Sequence, residues 1–297
     1  MRTVRTVSEL RGVLTPARRR GETIGLVPTM GALHEGHLSL VRRARERCDV
    51  VVVSLFVNPA QFGAGEDLGA YPRDEARDAA LAAAEGADLL FAPPPEAVYP
   101  PGFSTAVTVE GLTEPLCGAQ RGPEHFRGVT TVVAKLLNMV GPAVAYFGAK
   151  DAQQALVVRR MVRDLDFPVE VEVCPTVREA DGLALSSRNA YLDPAERERA
   201  TALSAALTAA EDAVAGGEAD AQMVLDAARA VLTARGVEPE YLELVGAETL
   251  APVDRVEGEC LLAVAATIGR ARLIDNTTLR APSVRAAGRE TAIACNA

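Results

Sequence analysis

Ten consecutive residues near the start of this 297-residue chain hold two of its three histidines: Pro28-Thr29-Met30-Gly31-Ala32-Leu33-His34-Glu35-Gly36-His37. A short apolar run, 24–27, precedes them and a helical pattern follows. A strand-to-helix turn offers an anion free backbone N–H groups and the positive end of a helix. Gly31 and Gly36 permit close backbone approach. Histidines three apart fall on one side of a forming turn, where each can donate to a phosphate oxygen. A metal pair is one competing reading, but the spacing is not HExxH and only His125 remains as a further histidine. Surface histidines are the other.

Four more segments carry side chains suited to the same chemistry. Leu185-Ser186-Ser187-Arg188-Asn189 sets two hydroxyls beside a guanidinium, which forks onto phosphate oxygens; a helix-capping loop before Pro194 is the alternative. In Phe147-Gly148-Ala149-Lys150-Asp151-Ala152-Gln153-Gln154, Lys150 can neutralise phosphate and Asp151 can accept from a ribose hydroxyl. Gln154, one turn on, can face the same cleft. An ordinary helix start is the alternative, and the P-loop pattern is absent. Asn58-Pro59-Ala60-Gln61-Phe62 offers neutral donors and acceptors for hydroxyl or carboxylate groups, or else a simple asparagine-proline turn. His125, in Glu124-His125-Phe126-Arg127-Gly128, reads by itself as a satisfied structural histidine.

The elements that must position these segments alternate. Strands are expected at 24–27 (ended by Pro28), 50–57, 88–92, 143–147 and 169–173. Helices are expected at 38–48, 73–85, 129–140 and 152–165. The run 50–57 is nearly all apolar and β-branched, as in a strand buried on both faces. This alternation predicts an α/β fold, a doubly wound parallel sheet with right-handed crossovers. Ligands of such sheets bind beyond the carboxyl ends of the strands. After about residue 176 the pattern changes. An Ala-rich helix at 194–215, capped by Asp193, and a second at 219–234 precede strands at 241–245, 260–267 and 272–274. The expected organisation is a domain over 1–176, a smaller α+β domain over 177–282 and a loose tail over 283–297.

Composition excludes several function classes. With 31 basic and 40 acidic side chains, a net charge of -9, the chain lacks the basic footprint of a general nucleic-acid binder. No run reaches the ~20 apolar residues that cross a bilayer, and the start lacks the pattern of a signal peptide. Five cysteines without a CxxC pair argue against a disulfide framework or a zinc site and point to a reducing cytoplasm.

Taken in order, PTMGALHEGH, VNPAQF, YPRD, HFRG, FGAKDAQQ, LSSRN and the late ARLIDN closely resemble the pantothenate synthetase (pantoate–β-alanine ligase) family. That family belongs to the HxGH nucleotidylyltransferase superfamily, whose Rossmann-like catalytic sheet is shared with class I aminoacyl-tRNA synthetases. The resemblance covers about residues 3–280. Ala149 departs from relatives that often carry a longer polar residue there. Asp74, Glu75, Arg77 and Asp78 stand where some relatives have an acidic cluster, and no metal ligand is assigned among them.

The resemblance implies an ATP-dependent condensation of pantoate with β-alanine through a pantoyl adenylate, releasing pyrophosphate and AMP. It implies that ATP lies along Met30 to His37, with His34 and His37 on the phosphates and His37 as proton donor. Lys150, Ser186, Ser187 and Arg188 would grip the triphosphate beside Leu185 and Ala149. Gly148, Asp151 and Val177 would line the adenosine. Met30, Asn58, Gln61 and Gln154 would hold the acid substrates. Mg²⁺ would ride on the phosphates, the C-terminal domain would act as a lid, and the chain would form a homodimer. Residues 62–71, with Gly63, Gly65 and Gly69, would form a mobile cover. The competing activities are nucleotidyl transfer to a phosphate acceptor and ATP binding without turnover.

Overall fold

The computed structural model describes residues 1–63 and 68–281. The expected tail at 283–297 and the middle of the expected cover at 62–71 lie outside the described residues. In chain order the first part contains β1 (Arg2–Val4), α1 (Val7–Arg19), β2 (Ile24–Thr29), α2 (Glu35–Arg47), β3 (Val50–Leu55), α3 (Glu75–Ala84), β4 (Leu89–Phe91), α4 (Pro95–Val98), α5 (Cys117–Arg121), α6 (Pro123–Val140), β5 (Val144–Gly148), α7 (Ala152–Asp164) and β6 (Glu170–Cys174). The second part contains α8 (Pro194–Ala200), α9 (Ala202–Ala215), α10 (Ala221–Ala234), β7 (Tyr241–Gly246), β8 (Glu259–Ile268) and β9 (Ala271–Arg280).

The first six strands form one parallel sheet in the order β1-β4-β3-β2-β5-β6. From β2 the chain winds outward through β3 and β4. It then returns to the other side of β2 as β5. The reversal between β2 and β5 is therefore the switch point, where loops diverge and leave a crevice.

The pairing itself opens that crevice. β2 pairs with β3 over six residues, Ile24 to Thr29, but with β5 only at Gly25 and Leu26. The Thr29 carbonyl accepts from the Phe56 N–H on the β3 side (3.0 Å). Successive residues of a parallel strand address opposite neighbours, so the Pro28 nitrogen faces β5, where pairing has already ended. β2 thus runs through Pro28 and not up to it, contrary to expectation: the missing N–H falls where no ladder bond is owed.

The second sheet, β7-β8-β9, is antiparallel and buried on both faces. Tyr241, Val245, Leu261, Ala263 and Ala265 join the core under the parallel sheet, together with Phe126 and Val129 of α6. The alternate residues Leu242, Leu244, Leu262, Val264 and Ala266 pack with Leu203 and Leu207 of α9 and Val224 and Leu232 of α10.

Two further expectations change. The helix expected at 194–215 is two helices, broken at Thr201, whose N–H (3.3 Å) and hydroxyl (2.7 Å) both turn back to the Glu198 carbonyl. β9 runs to Arg280, because Ala271, Leu273, Asp275 and Leu279 keep one face buried while the residues between them are half-buried or exposed. Among the described residues no helix is long and apolar enough to cross a membrane.

Candidate functional site

Beyond β2 the chain turns left-handed at Gly31 (φ 92°) and Ala32 (φ 51°). The bend wraps around a carboxylate from α3. Asp78, only 1% exposed, accepts from the N–H groups of Ala32 and Leu33, both at 2.8 Å. Charge-assisted bonds of this kind offset the backbone strain at Ala32. The sequence showed Asp78 only as one member of an acidic run. Nothing local signals that it braces a loop 45 residues away.

The bend delivers His34 to the N-terminus of α2 as its cap. Its Nδ1 accepts from the Gly36 N–H (3.2 Å), while the Nδ1 of His37 accepts from the His34 N–H (3.4 Å). A Cβ on Gly36 would stand 3.0 Å from the His34 ring, so any larger residue would press the folded-back imidazole out of place by a few tenths of an ångström. Because each Nδ1 accepts, each neutral ring carries its proton on Nε2. The rings lie 4.1 Å apart. Burial, then the Lys150 cation, lowers the His34 pKa to about 4. Burial, then the charge of His34 and Lys150, lowers that of His37 to about 3. At neutral pH the pair is two uncharged Nε2–H donors. The Glu35 carboxylate turns outward to Arg42.

The LSSRN segment returns to this turn from the far half of the chain. Leu185 N–H donates to the Val177 carbonyl (3.0 Å) and Glu179 N–H to the Leu183 carbonyl (2.9 Å), closing a small hairpin. Ser186 caps the 3-10 turn Ser187–Tyr191 by accepting from the Arg188 N–H (3.3 Å). Asn189 ties the turn down by donating to Glu179 (3.0 Å) and the Ala184 carbonyl (3.2 Å). Leu185 packs at the position a Gly36 Cβ would approach, 3.8 Å away, so the two motifs meet. Lys150 sits in the 3-10 turn Ala149–Asp151 between β5 and α7. The Ala149 and Lys150 carbonyls accept from Asn276 of β9.

Two cavities share this region. The smaller, about 170 Å³, lies in the fork between β2 and β5, lined by Pro28, Thr29, Met30, His37, Asn58, Gln61 and Phe147. The larger, about 300 Å³, lies between α5 to α7 and the β7–β9 sheet. Lys150, Ser186, Arg188, Arg121, Arg270 and Arg272 line it, facing only Asp151 and Asp275 as acids. A local excess of cations thus coexists with the acidic net charge. Asp151 and Gln154 border both cavities.

Asn58 and Gln61 divide their labour. Asn58, 1% exposed, donates to Gln61 Oε1 (3.0 Å) and the Gly128 carbonyl (3.1 Å) and accepts from Tyr99 (2.8 Å) and the Ala60 N–H (3.3 Å). Its amide is fully committed to bracing. The Nε2 of Gln61, by contrast, donates to the Met30 thioether (3.0 Å), a weak acceptor that a carboxylate or hydroxyl would displace. His125 accepts from Arg121 at Nε2 (3.0 Å) and so donates from Nδ1 to the Gln61 carbonyl (2.8 Å). Through these bonds it holds the Gln61 turn, and it also lines the larger cavity. Gln153 is a strut missed from sequence: it donates to the Leu112 and Pro115 carbonyls and accepts from the Cys117 N–H.

Of the expected nucleotide residues, Met30, His37, Lys150, Asp151, Ser186 and Arg188 line one cavity or the other, whereas Gly31, Ala32, Leu33, His34, Glu35, Gly36, Gly148, Ala149, Val177, Leu185 and Ser187 line neither. Ser187 instead approaches the Tyr71 hydroxyl (3.4 Å). Among the described residues no three His, Cys, Asp or Glu side chains gather as metal ligands.

Known proteins repeat this arrangement along nearly the whole chain. The sequence profile of the pantoate-β-alanine ligase family matches residues 2–278. The pantothenate synthetase of Moorella thermoacetica is 55% identical over 280 residues, 94% of this chain and 99% of that one. That of Cereibacter sphaeroides is 56% identical over 273 residues, covering 92% and 98%. Among solved structures, the Thermus thermophilus pantothenate synthetase superposes with a TM-score of 0.89 at 53% identity, covering 93% of this chain and 99% of its own. The Francisella tularensis pantoate-β-alanine ligase, solved in complex with β-γ ATP and β-alanine, gives 0.77 at 32% identity, covering 93% and 97%. Shared sequence over the full fold, and not one motif, makes this chain a member of the pantoate–β-alanine ligase family of enzymes.

Proposed function

We propose that this enzyme condenses pantoate with β-alanine at the expense of ATP, through a pantoyl adenylate. The observation that carries the reading is the meeting of two cavities at Asp151 and Gln154, one edged by cations and the other by neutral amide groups. The fork between β2 and β5 would take pantoate. Gln61 would exchange the Met30 thioether for the substrate, with Gln154 opposite. The triphosphate would lie between the α2 N-terminus, with His34 and His37, and the turn bearing Ser186, Ser187 and Arg188, with Lys150 alongside. The adenosine would follow Gly148, Asp151 and Val177.

In the first step a pantoate carboxylate oxygen attacks the α-phosphorus and the bond to pyrophosphate breaks. In the second the β-alanine amine attacks the acyl carbon, AMP leaves with the electron pair of the acyl–oxygen bond, and the nitrogen loses its proton. The chain's own contribution is positioning and charge stabilisation. His37 serves the first step as an Nε2–H donor. It can pass on a full proton only once phosphate charge has raised its pKa. Among the described residues no carboxylates assemble a Mg²⁺ site: Asp78 is committed to two N–H groups and Asp74 caps α3. Mg²⁺ would arrive on the triphosphate. A cytoplasmic homodimer with a domain boundary near residue 176 completes the proposal.

The test is AMP formation from ATP, pantoate and β-alanine. AMP that requires both acids supports the reading. Pyrophosphate released with a phosphate acceptor and no amine dependence would replace it with nucleotidyl transfer.

A further inference from the structure

The ARLIDN segment of β9 contributes Arg272, Asp275 and Asn276 to the wall of the larger cavity, and two of its residues reach both phosphate-gripping loops. Asn276 donates both amide hydrogens to the turn that carries Lys150, to the Ala149 carbonyl at 3.0 Å and the Lys150 carbonyl at 2.8 Å. Its neighbour Asp275, 2% exposed, forks onto Arg178 at 2.6 and 3.0 Å. Arg178 also donates to the Gly182 carbonyl (3.1 Å), inside the hairpin that ends at Leu185 and Ser186. Asp275 further accepts from the Asn276 backbone N–H (2.8 Å), which fixes its carboxylate against the strand.

Adjacent residues of a strand point to opposite faces. One dipeptide can therefore hold two loops from two sides, and β9 is itself fixed in register against β8 over ten residue pairs. The two loops follow different strands, β5 and β6, and among the described residues no strand pairing or bridge joins one loop to the other. Without the dipeptide, Lys150 and the Ser186–Arg188 turn would lose the tie that β9 makes between them.

We propose that Asn276 and Asp275 are positioning residues: they set the spacing between Lys150 and the Ser186–Arg188 turn, and so control triphosphate affinity from the C-terminal sheet. The proposal rests on the reading of those loops as the triphosphate grip.

The test compares Asn276→Ala and Asn276→Asp in the full-length chain. Removing the donors should raise the KM for ATP on the order of tenfold, the scale of a lost hydrogen bond or two to half-buried carbonyls. The KM for pantoate should stay within about twofold, because the fork between β2 and β5 is braced separately. Asn276→Asp keeps the shape but turns a carboxylate toward two carbonyl oxygens, so it should be worse than alanine. A packing role would make it the milder change. In a Lys150→Ala background, Asn276→Ala should add less than about twofold, since the two act through one contact. Unchanged ATP KM in Asn276→Ala, a wild-type-like Asn276→Asp, or full multiplication of the two effects would each overturn the proposal. Calorimetric titration with ATP alone keeps the two readings apart. A wild-type chain that binds ATP without forming AMP fails as a ligase, and the variants still show whether the brace governs affinity.

Discussion

His34 and His37 work as uncharged donors because the protein has refused them a proton. Both pKa values lie below the ordinary 6.5, at about 4 and about 3. The sign of the linkage follows. Below pH 6.5 the unfolded chain takes up protons that the folded chain does not, so this contribution is complete above 6.5 and is lost as pH falls toward 4. The melting temperature of the ligand-free enzyme should fall across that window. The double variant His34→Asn, His37→Asn should fall less steeply, and equal slopes would show that the rings are not buried neutral. Loss of the His37 donor alone, in His37→Ala, should slow turnover on the order of 10²-fold, as removal of one transition-state donor does. A near-wild-type rate would remove His37 from the chemistry. The pair was legible in the sequence as HEGH. Its tautomers were not, because they depend on the turn-back of His34 onto the Gly36 N–H, which only coordinates reveal.

The start of α6 clamps the 3-10 turn that carries Gln61. His125 holds its carbonyl, Asn58 reaches across to Gly128, and a Cβ on Gly128 would stand 2.2 Å from the Ala60 oxygen. Gly128→Ala must therefore push the turn out of place. We expect kcat/KM for pantoate to drop on the order of 10²-fold, the cost of an ångström-scale misplacement, with ATP binding measured by calorimetry unchanged. Equal loss of both affinities would mean a wider collapse. The sequence showed HFRG and NPAQ as separate segments. What it could not show is that they touch, since the clamp is a contact between elements 70 residues apart. Strands were legible where they are continuous apolar runs, as in β3. β1 was not, because three residues carry no period. Nor was the break at Thr201, where the alanine periodicity continues across the interruption.

For the molecule as a whole, the β7–β9 sheet sets the terms. It gives one face to the core of the parallel sheet and the other to α9 and α10. Removing either partner would strip apolar surface at about 25 cal/mol per Å². Thermal unfolding should accordingly be a single calorimetric transition, with van't Hoff and calorimetric enthalpies equal. Two resolved transitions would show that the C-terminal part is an independent lid. The doubly wound order was legible from alternating periods. The shared core was not, because nothing in β7 or β8 says which body each face will meet. At the centre of the parallel sheet stands Pro28, its nitrogen turned toward β5. A ladder between strands closes like a zipper, each N–H engaging the next tooth. Pro28 is a missing tooth, opposite the approach to Phe147, and both residues wall the smaller cavity. The sheet cannot seal its own mouth, even when no ligand holds it apart, because the stop is built into a covalent ring and not left to packing.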